Sequence, residues 1–421
     1  MQVLLLVGLV VSLLNELPLG SSQGVSKNSK SHDRNDLTPV ILMPGLGGSR
    51  IEYKKKNSTK WKMLWLDVFR ILPMHIPEYA RQLTPVYDPI NDTFTSQPDI
   101  DTRPYDYGGV GGVRYLNGLG KNISGYFSVL LKAMEKEGYV AGQTVFGAPF
   151  DWRLANAKQI LTNGMAESLK ELVEHASFVN QGKKVHLVGH SMGATFIHQF
   201  LMHFVSEEWK NRYVESFISI NGPYGGSFEA FAHLASPHRW GSSPVSAKLL
   251  HKITQTLGGI YWMLPNSNAF AKDKVIAKVP NANMVITLDN MTSTWSVSNR
   301  STILRAVEST LQATTGLDAL HLPTHIFYSN GYRTMNELVF EGPEDSWWTK
   351  ESKSTSTTDG DGTVPIESLK SPLRWKDEQI EIVTEHLIEH ASHISVLHKP
   401  QLVAEVMDII LETLKKKDKN F

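Results

Sequence analysis

Short apolar runs recur along the chain and close on turn residues, the pattern of buried strands. Pro39–Pro44 runs into Gly45-Leu46-Gly47-Gly48, and Lys184–Gly189 leads to a helix-like stretch over Met192–Val205. Ser216–Ile220, Thr324–Tyr328 and Gln379–Val383 read as later strands. Ser124–Glu137 and Ala166–Phe178 between them read as helices, and Pro400–Leu414 as a last amphipathic one. Strands alternating with helices predict an α/β fold, a mostly parallel sheet with helices on both faces. Two stretches break this rhythm, at about 51–107 and about 225–322, and read as insertions of the kind that carry recognition. In the first, Trp61, Leu64, Trp65, Val68, Phe69 and Leu72 fall at i, i+3, i+4, i+7, i+8 and i+11. That spacing predicts a helix with one apolar face.

The start of the chain has a different character. The apolar run Val3–Leu14 followed by Gly20-Ser21-Ser22 predicts a signal peptide over residues 1–22, with a polar linker over 23–36. The run is too short for a spanning helix. Sequons at Asn57, Asn91, Asn122, Asn290 and Asn299 agree with a secretory route. Hydrophobic residues at 41% suffice for a substantial core, which argues against a disordered chain. Lys+Arg 42 balance Asp+Glu 42, so there is no basic footprint and no nucleic-acid partner is expected. The absence of Cys excludes thiolate metal sites, cysteine nucleophiles and disulfides. No metal-ligand spacing joins His75, His175, His203, His233 and His238.

Gly189-His190-Ser191-Met192-Gly193 matches G-x-S-x-G between an apolar strand and an apolar helix. That context is what a nucleophile elbow needs, since the sharp turn exposes the serine hydroxyl at the end of a sheet. A serine hydroxyl needs a base, and the base an orienting carboxylate, in the chain order Ser, acid, His. Asp359-Gly360-Asp361-Gly362-Thr363 is a loop suited to the acid, with Asp361 the better candidate and Asp359 the alternative. It lacks the further ligands of a helical calcium loop. Among the late histidines, His398 opens the last predicted helix and His386 is nearly on the last predicted strand. His390 and His393 are left as bases, and position alone does not separate them. Asp151 and Arg153 read as a buried structural pair.

These landmarks, in order, carry a family resemblance. Pro44–Gly48, Trp65-Leu66-Asp67, Ala148-Pro149-Phe150-Asp151-Trp152-Arg153 and Gly189–Gly193 are followed by Ile220–Gly226, Gly360–Val364 and Ser392-His393-Ile394. The chain resembles the lecithin:cholesterol acyltransferase and lysosomal phospholipase A2 family of α/β-hydrolases over nearly all of residues 37–421. The resemblance implies Ser191, Asp361 and His393 as catalytic triad and the Leu46 and Met192 amides as oxyanion donors. It also implies a membrane-binding role for the first insertion, with Trp61, Trp65 and Phe69 on the lipid side, and a cap or lid for the second. The implied activity is cleavage of an acyl ester of a glycerophospholipid at a membrane or lipoprotein surface. The acyl group would pass through an acyl-enzyme to water or a lipid alcohol, without a cofactor, in a secreted or lysosomal setting. A neutral-lipid or small-ester hydrolase and a catalytically silent lipid-binding protein are the alternatives. The chain departs from the family in lacking the cysteines that close a loop of the first insertion, and in reading Asn221-Gly222-Pro223-Tyr224 where members have Gly-Ala-Pro-Trp.

Overall fold

The structure is a computed structural model describing residues 36–71, 75–117, 125–238, 246–314 and 316–412. The predicted signal peptide, nearly all of the predicted linker, Leu72 and Asn122 lie outside the described residues.

Six strands form the central sheet: β1 (Val40–Met43), β2 (Val145–Gly147), β3 (Val185–His190), β4 (Val214–Ile220), β5 (Thr324–Ser329) and β6 (Val383–Ile388). Their spatial order is β6-β5-β4-β3-β1-β2. Every pairing is parallel. β1 is wholly buried, and β3 and nearly all of β4 are too, which is why these segments read as continuous apolar runs rather than alternating ones. Four helices frame the sheet: α1 (Ser128–Lys136), α2 (Met165–Val179), α3 (Met192–His203) and α4 (Pro400–Ile410). The chain steps from β1 outward to β2 and then back past β1 to β3. With the right-handed crossovers of parallel units, this reversal puts α1 on one face and α2 and α3 on the other. α4 packs against α1.

The strand predicted at Gln379–Val383 lies later, at Val383–Ile388. Ile380 is fully exposed and Ile382 largely so. β6 is an edge strand whose register follows its residue-by-residue pairing with β5, Thr324 opposite Val383 through Ser329 opposite Ile388. The ladder, not the local apolar content, sets its bounds.

The helix predicted from Trp61 to Leu72 does not form. Lys62–Trp65 is a strand, paired antiparallel with Ile51–Lys55, which also pairs with Ile100–Pro104. A single 3₁₀ turn, Val68–Ile71, follows. Ile51 faces Trp65 while Glu52 faces Met63, so Leu64 is the extra residue of a bulge. The bulge turns Leu64 and Trp65 inward together. A bulged strand followed by a 3₁₀ turn thus reproduces helical spacing by coincidence, and the ladder to Ile51–Tyr53 overrides it.

The stretch 225–322 contributes helices Phe228–Ala235, Ala247–Thr254, Gly258–Trp262 and Ser301–Thr314 and the strands Val275–Val279 and Met284–Thr287. These two strands join Thr334–Val339 and Lys353–Thr358 in a second, four-stranded sheet. The layer therefore draws on chain beyond residue 322, because the segment after β5 returns to it before the last strand. Among the described residues, no helix is long and apolar enough to cross a membrane.

Candidate active site

The reversal between β2 and β3 leaves a crevice beyond the C-terminal ends of β1 and β3, the place where open α/β sheets carry their sites. The β1 end supplies the loop Pro44–Gly48, and the β3 end supplies Ser191. Ser191 caps α3 with φ 56° and ψ −131°. That conformation is costly for a residue with a Cβ, by about 1–3 kcal/mol, and survives only where the surroundings enforce it. The enforcement is close packing. A Cβ on Gly193 would lie 2.5 Å from the carbonyl oxygens of Met43 and Pro44, so only glycine lets α3 start this close to β1.

Ser191, Asp361 and His393 come together, although the chain separates them widely. His393 Nδ1 lies 2.6 Å from Asp361 Oδ2, and His393 Nε2 lies 2.7 Å from Ser191 Oγ. Asp361 is fully buried, and its other oxygen accepts the backbone N–H groups of Thr363 at 2.9 Å and Val364 at 2.7 Å. A carboxylate so used is an acceptor. Nδ1 of His393 therefore carries the imidazole proton, Nε2 presents a lone pair, and the Ser191 hydroxyl donates to it. The His393 backbone N–H also donates to the Asp361 carbonyl at 2.8 Å, fixing base and acid to each other by main chain as well.

The competing candidates point elsewhere. Asp359 accepts the N–H groups of Gly331 and Gly360, each at 2.8 Å, and so shapes the turn. His390 is exposed, with φ 50°. His386 sits on β6, bonded to Glu405 and Thr384 at 2.7 Å each and stacked on Phe327. His398 bonds the Gly125 carbonyl.

The side chains of Leu46 and Met192 converge on Gly259, where a Cβ would lie 2.7 Å from Leu46 Cδ1 and 2.9 Å from Met192 Sδ. Among the described residues, no protein acceptor pairs with the backbone N–H of either. The Met192 amide belongs to the first turn of α3, where the helix dipole favours negative charge.

The three residues placed on the lipid side separate. Trp65 is buried, and its Nε1 donates to the Gly47 carbonyl at 2.8 Å. It packs edge-on against Trp152. This corrects its expected place on a lipid-facing surface: the bulge turns it into the core, where it braces the Pro44–Gly48 loop. Trp61 is half-buried beneath the Arg103 guanidinium, 4.1 Å from the ring centre, with Lys54 at 5.3 Å. Phe69 is 65% exposed.

Asp151 and Arg153 form the expected buried pair, with Nε–Oδ1 2.9 Å and Nη2–Oδ2 2.6 Å. Thr102 donates to Asp151 and the Gln82 carbonyl accepts from Arg153, so the pair ties the stretch 51–107 to the loop after β2.

A doubly wound parallel sheet with a serine elbow, a buried carboxylate and a histidine between them defines an α/β-hydrolase. Residues 61–353 match the lecithin:cholesterol acyltransferase family, and the chain belongs to it. It is 27% identical to rat (Rattus norvegicus) phosphatidylcholine-sterol acyltransferase, over 91% of this chain and 87% of that one. It is 26% identical to rat lysosomal phospholipase A and acyltransferase, over 89% of this chain and 90% of that one. In fold it is similar to a chain of the Tle4–Tli4 complex, with a TM-score of 0.55 at 13% identity, over 90% of this chain and 98% of that one.

Proposed function

We propose that this protein removes an acyl chain from a glycerophospholipid through an acyl-enzyme on Ser191 and passes it to water or a lipid alcohol. The observation that carries the reading is the continuous path from Asp361 through His393 to the hydroxyl of a strained elbow serine. Ser191 Oγ attacks the ester carbonyl while His393 Nε2 takes its proton, and Asp361 stabilises the imidazolium without being protonated. The Leu46 and Met192 amides bind the resulting oxyanion, a contribution of about 2.7–4 kcal/mol per donor. Collapse breaks the bond to the lysolipid oxygen, which leaves with the proton from His393. Water or an alcohol then attacks the acyl-enzyme, again giving its proton to His393, and Ser191 regains that proton on release.

Relatives that act on phosphatidylcholine or as phospholipase A support the substrate class. Mixed phospholipid vesicles, with and without a long-chain alcohol, provide the test, with products read by mass spectrometry. A lysophospholipid should appear in both cases, with free fatty acid alone in the first and an added alkyl ester in the second. Cleavage of a short soluble ester without any lysophospholipid would favour a small-ester hydrolase instead.

Of Trp61, Trp65 and Phe69, Phe69 alone is exposed enough to enter a lipid surface. Phe69→Ser should lower vesicle hydrolysis severalfold and leave turnover of a soluble short-chain ester near wild type. Trp65→Ala should behave differently, costing about 3–5 kcal/mol of stability and lowering both activities together. Equal loss on both substrates for Phe69→Ser, with an unchanged melting curve, would remove this segment from lipid contact.

A further inference from the structure

Behind the triad lies a second set of polar groups that the proposed chemistry does not use. Tyr126 stands two residues before α1, and His190 is the last residue of β3, immediately before the serine. Both are buried. The Gly45 backbone N–H lies 2.9 Å from Tyr126 Oη, Tyr126 Oη lies 2.5 Å from His190 Nδ1, and His190 Nε2 lies 2.8 Å from the His393 carbonyl oxygen. We propose that Tyr126 and His190 are positioning residues that lock the Gly45–Leu46 loop to the main chain of His393 through one hydrogen-bond chain of fixed polarity. The inference rests on the serine-hydrolase reading and names what keeps its two ends in register.

The polarity follows from which atoms can donate. A carbonyl oxygen only accepts, so His190 Nε2 must carry a proton. In the neutral ring Nδ1 is then an acceptor, and Tyr126 must donate to it. The tyrosine oxygen is left to accept the Gly45 N–H. Every member is satisfied in one arrangement, and it requires a neutral His190. Burial pushes the His190 imidazole well below its ordinary pKa, and neighbouring His393 and His398 push the same way. The ring centres of His190 and His393 are 5.1 Å apart. A neutral His190 therefore also spares the imidazolium that forms on His393 a like charge beside it.

Both ends of the chain matter to the chemistry. At one end, a Cβ on Gly45 would lie 2.5 Å from Ser191 Cβ, so the loop rests directly on the nucleophile and presents the next amide, Leu46, beside it. At the other, the His393 backbone is held by its carbonyl to His190 and by its N–H to Asp361. The chain thus joins an oxyanion donor to the general base by a path that avoids the substrate. A misplacement of either by a fraction of an ångström weakens transition-state binding more than substrate binding.

Tyr126→Phe keeps the ring and removes both bonds of the hydroxyl. It should lower kcat on a soluble short-chain ester by about 10–100-fold, with KM within about twofold of wild type. Labelling by a fluorophosphonate should slow by the same factor. His190→Leu removes both the donor to the His393 carbonyl and the acceptor for the Tyr126 hydroxyl. It should show the same loss, and it gives the same comparison if Tyr126→Phe does not fold. Because the two act as one chain, the double variant should be little worse than either single one. Wild-type kcat and labelling rate in a folded variant, whatever its melting temperature, would overturn the inference, as would losses that multiply in the double variant. Absence of labelling in the wild-type protein would instead remove the serine reading itself.

Discussion

Ser191→Ala is expected to abolish acyl transfer, lowering kcat by on the order of 10⁶-fold, as removal of the nucleophile does in other serine hydrolases. Labelling by a fluorophosphonate should vanish with it. Alanine keeps the Cβ that the strained turn already accommodates, at φ 56° and ψ −131°, and loses only the hydroxyl. The melting curve should therefore stay close to wild type. Labelling of the Ala variant at the wild-type rate would place the nucleophile elsewhere.

The second large effect separates two histidines three residues apart. His393→Ala should lower kcat by several orders of magnitude, because Ser191 loses the only base within reach among the described residues and Asp361 is left buried against a void. His390→Ala should change kcat by less than about threefold, since its side chain is exposed and takes no part in the path to Ser191. The asymmetry has a local cause. At Ala391 and Ser392 the chain turns inward after the exposed pair Glu389-His390, and the Ser392 and Ser395 side chains and amides bond one another to close the turn. That turn is what aims His393 at the serine. A larger loss from His390→Ala than from His393→Ala would contradict the geometry.

The misread segments share one origin. Trp61–Leu72 has helical spacing, yet its ladder partners come from Ile51–Tyr53, and a bulge inverts the side on which Trp65 lies. Gln379–Val383 carries apolar residues in alternation, yet the register of β6 is set by β5. The second sheet gathers Thr334–Val339 and Lys353–Thr358 with strands more than forty residues earlier, across an intervening strand of the main sheet. In each case the deciding hydrogen bonds run to a partner distant in sequence, and no local period records them. Trp65 shows the functional consequence. An aromatic residue expected at a lipid surface instead donates to the Gly47 carbonyl and steadies the loop beside the nucleophile.

Local sequence alone determined the features that a few adjacent residues can fix. The buried strand Val185–His190, the helix after it and the serine between them are legible because one tight turn demands glycine at fixed offsets. The alternation of apolar runs and amphipathic stretches likewise carried the α/β class. The sequence preferred Asp361 to Asp359, but what separates the two physically and what aims His393 belong to the tertiary structure. The two aspartates sit in one loop, and only folding shows that Asp359 is consumed by the Gly331 and Gly360 amides while Asp361 faces His393. Tyr126 gives no sequence signal at all. Its role arises because α1 and β3 bring a phenol and an imidazole together across 64 residues of chain. Hydrogen-bond polarity between such groups is a property of their packing, and packing is settled only when the whole core closes.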